Sequence, residues 1–297
     1  MEMTFIRRIS PALALALLLF NPAVAQKKTD REKENLLGAV RSIGSRMTYY
    51  INGELQTEER ANSLDTLTYD ADGNEVERSI YDDYGFAIGK EVHTRGAHGN
   101  LIESVLSNPE GEVMERRVYT YDGGKLMQIV SSDGKGKVKL KQVNSYGSDG
   151  RLREETYYDP KEAAGKTMHK YDDKGRISEL AFYLPDGSKA IATIGPCLGA
   201  HRVTYSYEKK GRPVKVVAYE PDGEVKKSWR YAYNPQGQVA EDVRESAWSR
   251  MKIVYTYEYD SQGNWIKKVA TVNDQSKLER IGSNERKTVV SRSITYF

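Results

Sequence analysis

Cys197 and His201 stand four residues apart in the stretch Ile191-Ala192-Thr193-Ile194-Gly195-Pro196-Cys197-Leu198-Gly199-Ala200-His201. A thiolate beside a proton acceptor is the pairing that nucleophilic catalysis requires. The stretch supplies no Asn or Asp to orient the imidazole and no helix to lower the thiol pKa, and a small buried cysteine meets the same pattern. Cys197 and His201 are therefore candidate partner contacts, with an envelope enzyme built on them as the alternative.

Other candidate chemistry is weaker. Asp70-Ala71-Asp72-Gly73-Asn74 superficially resembles a calcium loop, but its glycine falls at the fourth position and no glutamate closes the loop at the twelfth. His93, His98, His169 and His201 show no metal-ligand spacing. Paired carboxylates such as Glu154-Glu155 read as solvated side chains of a charged strand face. No cofactor and no metal are expected. Trp229 and Trp265 fall inside aromatic strand patterns and read as structural. Trp248 lies in the irregular segment Arg244-Glu245-Ser246-Ala247-Trp248-Ser249-Arg250, where a large aromatic is free to contact a protein or the apolar face of a sugar.

The elements that position these residues are set by glycine. One series of turn glycines falls at Gly73, Gly99, Gly124, Gly150, Gly175, Gly211, Gly237 and Gly263, mostly 25 or 26 residues apart. A second series lies between them at Gly85, Gly111, Gly136, Gly165, Gly187 and Gly223. Asp, Asn and Pro open tight turns, and Gly accepts the positive φ that hairpins need. The roughly eight residues between turns alternate as strands do. Met251, Ile253, Tyr255, Tyr257 and Tyr259 share one face, with Lys252, Val254, Thr256 and Glu258 on the other. Short turns make consecutive strands antiparallel neighbours, so the first series of turns lies along one edge and the second along the opposite edge. The fold class is all-β: a repetitive antiparallel hairpin meander of some seventeen strands, forming a curled or twisted single sheet or a partly closed barrel-like shell. The array breaks once, where Gly187 to Gly211 spans 24 residues in place of about 12. That insert, near 190–201, reads either as an elaborated binding loop or as a degenerate strand pair.

Composition narrows the classes of function. Arg7 and Arg8 precede the apolar run Ala12 to Phe20, and Ala23-Val24-Ala25 supplies a small-x-small cleavage pattern, so residues 1–25 are expected to be a signal peptide. Nine apolar residues are under half of the ~20 that cross a bilayer as a helix. The mature chain is thus expected to have no membrane span and to be periplasmic or at the cell surface. Cys197 is the only cysteine. It permits no intramolecular disulfide and offers no lipidation point at the cleavage site. Removing Arg7, Arg8 and Glu2 from 45 basic and 42 acidic side chains leaves 43 and 41, a balance that argues against nucleic acid.

The pattern Tyr-Asp-x-x-Gly-x-(Leu/Ile/Val) occurs at Tyr171-Asp172-Asp173-Lys174-Gly175-Arg176-Ile177 and, more loosely, at Tyr146-Gly147-Ser148-Asp149-Gly150-Arg151-Leu152. Over roughly residues 65–275 the chain resembles the RHS or YD repeat family. The resemblance implies β-hairpin strips that coil into shells around a toxin or build cell-surface proteins in contact with carbohydrate or other cells. Gly263-Asn264-Trp265 and the closing Arg292-Ser293-Ile294-Thr295-Tyr296 are similar to the ending of small exported bacterial proteins of this type. Unlike the large toxins, the sequence shows no core segment or toxin after the repeats, and about eight units are too few to enclose cargo. The expected organisation is a signal peptide (1–25), an N-terminal arm with capping strands (26–64), the repeat array (65–275) and a C-terminal capping strand (276–297). The expected function is non-enzymatic binding of an envelope protein or glycan, with pairing of open sheet edges in an assembly as a further alternative.

Overall fold

The computed structural model describes residues 28–55, 62–82, 86–159, 162–192, 199–274 and 286–297. The expected signal peptide and Cys197 lie outside the described residues. The chain enters through a single helical turn, α1 (Asp30–Lys33), which Thr29 and Glu32 close with a capping box. Strands follow in chain order: β1 (Val40–Ile51), β2 (Glu54–Leu55), β3 (Asn62–Tyr69), β4 (Glu75–Tyr81), β5 (Ala87–Arg95) and β6 (Leu101–Ser107). Next come β7 (Val113–Asp122), β8 (Lys125–Asp133), β9 (Val138–Tyr146), β10 (Leu152–Asp159), β11 (Glu162–Tyr171), β12 (Ile177–Tyr183) and β13 (Arg202–Tyr207). The last six are β14 (Pro213–Tyr219), β15 (Val225–Tyr233), β16 (Val239–Ser246), β17 (Arg250–Tyr259), β18 (Trp265–Asp274) and β19 (Arg286–Tyr296).

Each strand from β3 onward pairs antiparallel with its sequence neighbours, as the short turns require. The ends of the meander then meet. β1 pairs with β19 from Val40↔Tyr296 to Ile51↔Arg286, and on its other edge with β3 and the short β2. Because β2 and β3 share that one edge, the nineteen strands close into a ring of eighteen. The expected curled sheet is thus a closed barrel. Closure removes the open edges on which the edge-pairing alternative rested, and that alternative falls with them.

One turn design recurs at both ends and helps the sheet to curl. In the Tyr69–Glu75 connection, Gly73 N–H donates to Asp70 O at 3.0 Å and Asp70 N–H to Asn74 O at 2.9 Å. Gly73 has φ +89°, a conformation that a side chain would strain. The same pair of bonds closes Asp172–Arg176 and Asp260–Asn264 on one rim and Asn108–Glu112 and Glu220–Glu224 on the other. At most of these hairpins the register shifts by a residue where the turn joins the strand, as between Thr68 and Tyr69. Such bulges add twist and bend. The turn between β10 and β11 departs from the expected spacing: Gly165 is not its marker but a strand residue of β11 opposite Tyr157.

The two faces differ along each ladder. The tyrosine face is the more buried one; in β17 it carries Met251, Ile253, Tyr255, Tyr257 and Tyr259, while Arg250, Lys252, Val254, Thr256 and Glu258 are exposed. In a closed sheet the crowded side is the concave one, so the tyrosine face lines the interior. Eighteen strands at about 4.8 Å spacing give a ring on the order of 30 Å across, too wide for side chains to fill. Correspondingly, the buried apolar residues form two local clusters rather than one core. The first is Leu36, Val40, Ile43 and Tyr69, at the seam where β1 meets β19 and β3. The second is Ala200, Val203, Ala218 and Trp229, on β13 to β15.

Candidate functional site: two unlike rims

The rim built from the tyrosine-aspartate turns is internally bonded. Tyr146, Tyr171, Tyr207 and Tyr233 donate their hydroxyls to the carbonyls of Leu126, Leu152, Ile177 and Pro213 at 2.6–2.8 Å. Each acceptor is at the start of the preceding strand. The residue after each turn glycine then covers the tyrosine of the next turn. Lys125 lies 5.3 Å from the Tyr146 ring, Arg151 5.6 Å from Tyr171, Arg176 4.5 Å from Tyr207 and Arg212 4.3 Å from Tyr233. Cation and phenol therefore lock unit to unit. Burial pushes the Tyr207 and Tyr233 hydroxyls up to about 12, so they remain donors.

The aspartates of this rim are turn acceptors. Asp172 Oδ1 receives the amides of Lys174 and Arg176 at 3.0 and 2.8 Å, and Asp260 Oδ1 those of Gln262 and Asn264 at 3.0 and 2.8 Å. For Asp172, burial works against ionisation but the bonds from Arg176 prevail, and its pKa is lowered. The N-terminal segment seals the rim above the β1–β19 seam. Arg31 N–H donates to Gly73 O at 3.0 Å, and Arg31 Nη2 to Ala71 O at 2.8 Å. Buried Asn264 accepts Leu37 N–H at 2.7 Å and donates to Leu37 O and Tyr296 Oη, both at 2.8 Å.

The opposite rim is apolar and open. Of the sixteen exposed large hydrophobic side chains among the described residues, ten lie in or near its turns; they include Leu55, Phe86, Leu184, Val225 and Trp248. Phe86 is 71 % and Trp248 76 % exposed. Trp248 sits at the tip of the β16–β17 hairpin, which lacks a turn glycine and is closed instead by Ser246 N–H to Ser249 O at 2.9 Å, with the two serine hydroxyls 3.0 Å apart. The expected contact residue is thus presented on a short, bonded hairpin.

Of the other expected contact residues, Cys197 lies outside the described residues and His201 is placed differently. His201, expected at a binding loop, is only 5 % exposed, because its backbone extends the sheet. Phe182 N–H donates to His201 O and His201 N–H to Tyr219 O. Its ring stands edge-on to Tyr183 at 5.3 Å with Nδ1 3.0 Å from Ala190 O, which corrects the exposed reading. The base of the insert closes as a narrow hairpin, Ala192 N–H to Ala200 O at 2.8 Å, as in the degenerate-strand reading. Glu155, read as solvated, faces inward instead, 3.0 Å from His169 Nε2 and accepting from Gln142 Nε2 at 2.9 Å and Tyr157 Oη at 3.2 Å. Among the described residues no group of three His, Cys, Asp or Glu side chains could hold a metal ion.

Both faces carry charge. The outer face carries Lys90, Arg116, Lys166, Arg230 and Lys252, and the inner face Glu75, Arg78, Arg117 and Arg292. A cation held at a bilayer midplane on a barrel strand costs about 2–4 kcal/mol. Among the described residues no helix is long and apolar enough to cross a membrane.

No family model matches the chain, and no curated relative matches it. Solved structures resemble it at low identity. A porin-like protein from Bacteroides uniformis ATCC 8492 is 14 % identical, with 86 % of this chain and 96 % of that one covered and a TM-score of 0.44. A porin-like protein from Bacteroides vulgatus ATCC 8482 is 12 % identical over 88 % and 99 %, with a TM-score of 0.28. The TcdB2-TccC3-Cdc42 structure is 10 % identical over 82 % of this chain and 18 % of that one, with a TM-score of 0.33. Likenesses at these values assign neither a family nor an activity.

Proposed function

We propose that this protein is a non-enzymatic exported binding protein that engages an envelope protein or glycan through its apolar rim. The observation that carries the reading is the concentration of exposed apolar side chains on that rim, with Trp248 and Phe86 foremost, opposite a rim bonded internally by its tyrosines and aspartates. Large exposed aromatics clustered on one surface mark interaction sites, and they supply contact area at low entropic cost. The barrel acts as a stiff scaffold that sets the spacing of these contacts. Export rests on the leader-like residues 1–25, and the kind of partner on the resemblance of the tyrosine-aspartate repeats to cell-surface YD proteins.

The test is retention of envelope components by the immobilised mature chain, run in parallel with a glycan array. Wild type is expected to retain a defined component that Trp248→Ala loses. If neither format retains anything, the binding reading fails. A Cys197→Ala variant is expected to bind like wild type, whereas a thiol enzyme would lose its activity.

A further inference from the structure

The seam that closes the barrel carries a depression of about 300 Å³. Gly44, Arg46, Thr66, Tyr81, Ser291 and Ser293 line it, together with the strand positions Ser45 and Arg292 between them. Registry puts the first six on one face of the sheet and the opposed pair Ser45 and Arg292 on the other: Gly44 opposes Ser293, Arg46 opposes Ser291, and Thr66 opposes Ser79, two residues before Tyr81. That face is the outer one. The inner face of the same seam is occupied by Ile43, Ile294 and Arg292, whose guanidinium lies 3.5 Å over Trp265. The depression exists because the β1–β19 ladder presents Gly and Ser here, where other ladders present pairs such as Lys90 and Glu77 or Lys267 and Glu258.

Three properties define what would fill it. Its volume is at the lower end of ligand pockets, the size of a single sugar ring. Its wall is a set of hydroxyls, from Thr66, Ser291, Ser293 and Tyr81, that can donate and accept as sugar hydroxyls do. Of the two arginines in the lining, Arg292 turns its guanidinium to the inner face over Trp265, which leaves Arg46 as the charge on the outer side; it is exposed, lacks an ion-pair partner among the described residues, and meets no carboxylate in the lining. Every other arginine named above on the outer face is paired, Arg116 with Glu103 and Arg230 with Glu245. A guanidinium left free beside hydroxyls suits a planar carboxylate, which it holds with two parallel N–H donors.

We infer that this depression binds a carboxylated monosaccharide unit of the hexuronic acid class, with Arg46 on the carboxylate and the serine and threonine hydroxyls on the ring oxygens. The site is separate from the apolar rim and does not depend on the rim having a partner. Calorimetric titration of the mature chain with glucuronate, glucose and inorganic sulfate tests it. Glucuronate is expected to bind, with glucose and sulfate each at least about tenfold weaker. Arg46→Ala is expected to weaken glucuronate by about tenfold to a hundredfold, the worth of a charge-assisted hydrogen bond. Gly44→Leu fills the depression without backbone strain, since a Cβ at Gly44 finds only Thr66 Oγ1 at 3.8 Å, and is expected to abolish binding. A glucuronate-terminated disaccharide binding as well as the free acid would place the natural ligand at a glycan end, and weaker binding would favour the free sugar. No glucuronate binding, equal binding of glucose or sulfate, or an unchanged affinity in Arg46→Ala would overturn the inference. Arg46 is exposed, so its loss leaves the fold intact and the test decisive even if Gly44→Leu misfolds.

Discussion

The two rims of the barrel share one turn design at many of their hairpins, yet one rim is closed upon itself and the other is open. On the tyrosine-aspartate rim a ladder of polar partners is built into the repeat, phenol to carbonyl at Tyr146, Tyr171, Tyr207 and Tyr233, cation to ring, and aspartate to amide. On the opposite rim the same backbone bonds recur at turns such as Asn108–Glu112 and Glu220–Glu224, but the flanking side chains include Phe86, Leu184, Val225 and Trp248, which are exposed. The same backbone solution thus supports a structural end and an interaction end. Where the turn is shared, the difference lies in the residues flanking it; at Trp248 it lies in the turn itself.

A residue belonging to neither rim sets the scale. Trp229→Ala, in the second apolar cluster and 7 % exposed, is expected to cost about 3–5 kcal/mol in urea unfolding. On the closed rim, Asn264→Ala strips three hydrogen bonds from a site 3 % exposed and is expected to cost about 2 kcal/mol. A loss below about 0.5 kcal/mol would mean that the N-terminal seal contributes nothing. Tyr207→Phe removes one hydroxyl donor and should cost about 1 kcal/mol, measured the same way.

Acid should attack the closed rim through Glu75. Burial alone would raise its pKa, but bonds from His93 and from Arg78, whose Nε and Nη2 lie 2.8 and 3.0 Å from the carboxylate, hold it at about 2 against an ordinary 4.5. A depressed folded pKa gives stability that is present above about 4.5 and is lost as pH falls toward 2. Melting temperatures recorded across that window should fall less steeply for Glu75→Gln than for wild type. On the open rim, Trp248→Ala should change unfolding free energy by no more than about 0.5 kcal/mol, because an exposed side chain contributes little to folding.

Much of this was legible in the sequence. Asp-x-x-Gly spacing placed the turns and their alternation between rims, since positive φ at glycine is a local demand. The sequence did not show closure, because Ile43 and Ile294 meet across 251 positions and nothing local records it. Gly165 misled because a glycine is also tolerated where strands approach closely; a Cβ there would lie 3.1 Å from Tyr183 O. Trp248 was found because its turn breaks the glycine rule. His201 was misplaced because the insert's hairpin folds it back into the ladder, a non-local event. The apolar rim as a whole was missed, although its signal is visible in hindsight as Phe86, Val138 and Val225 directly following turns.

The account stands most directly on whether the open rim captures a partner while the closed rim does not. Envelope extract passed over immobilised wild type, Trp248→Ala and Tyr207→Phe measures this in one experiment. The account predicts that wild type and Tyr207→Phe retain the same component and that Trp248→Ala loses it at unchanged folding stability. Equal retention by all three, or loss only in Tyr207→Phe, would contradict it.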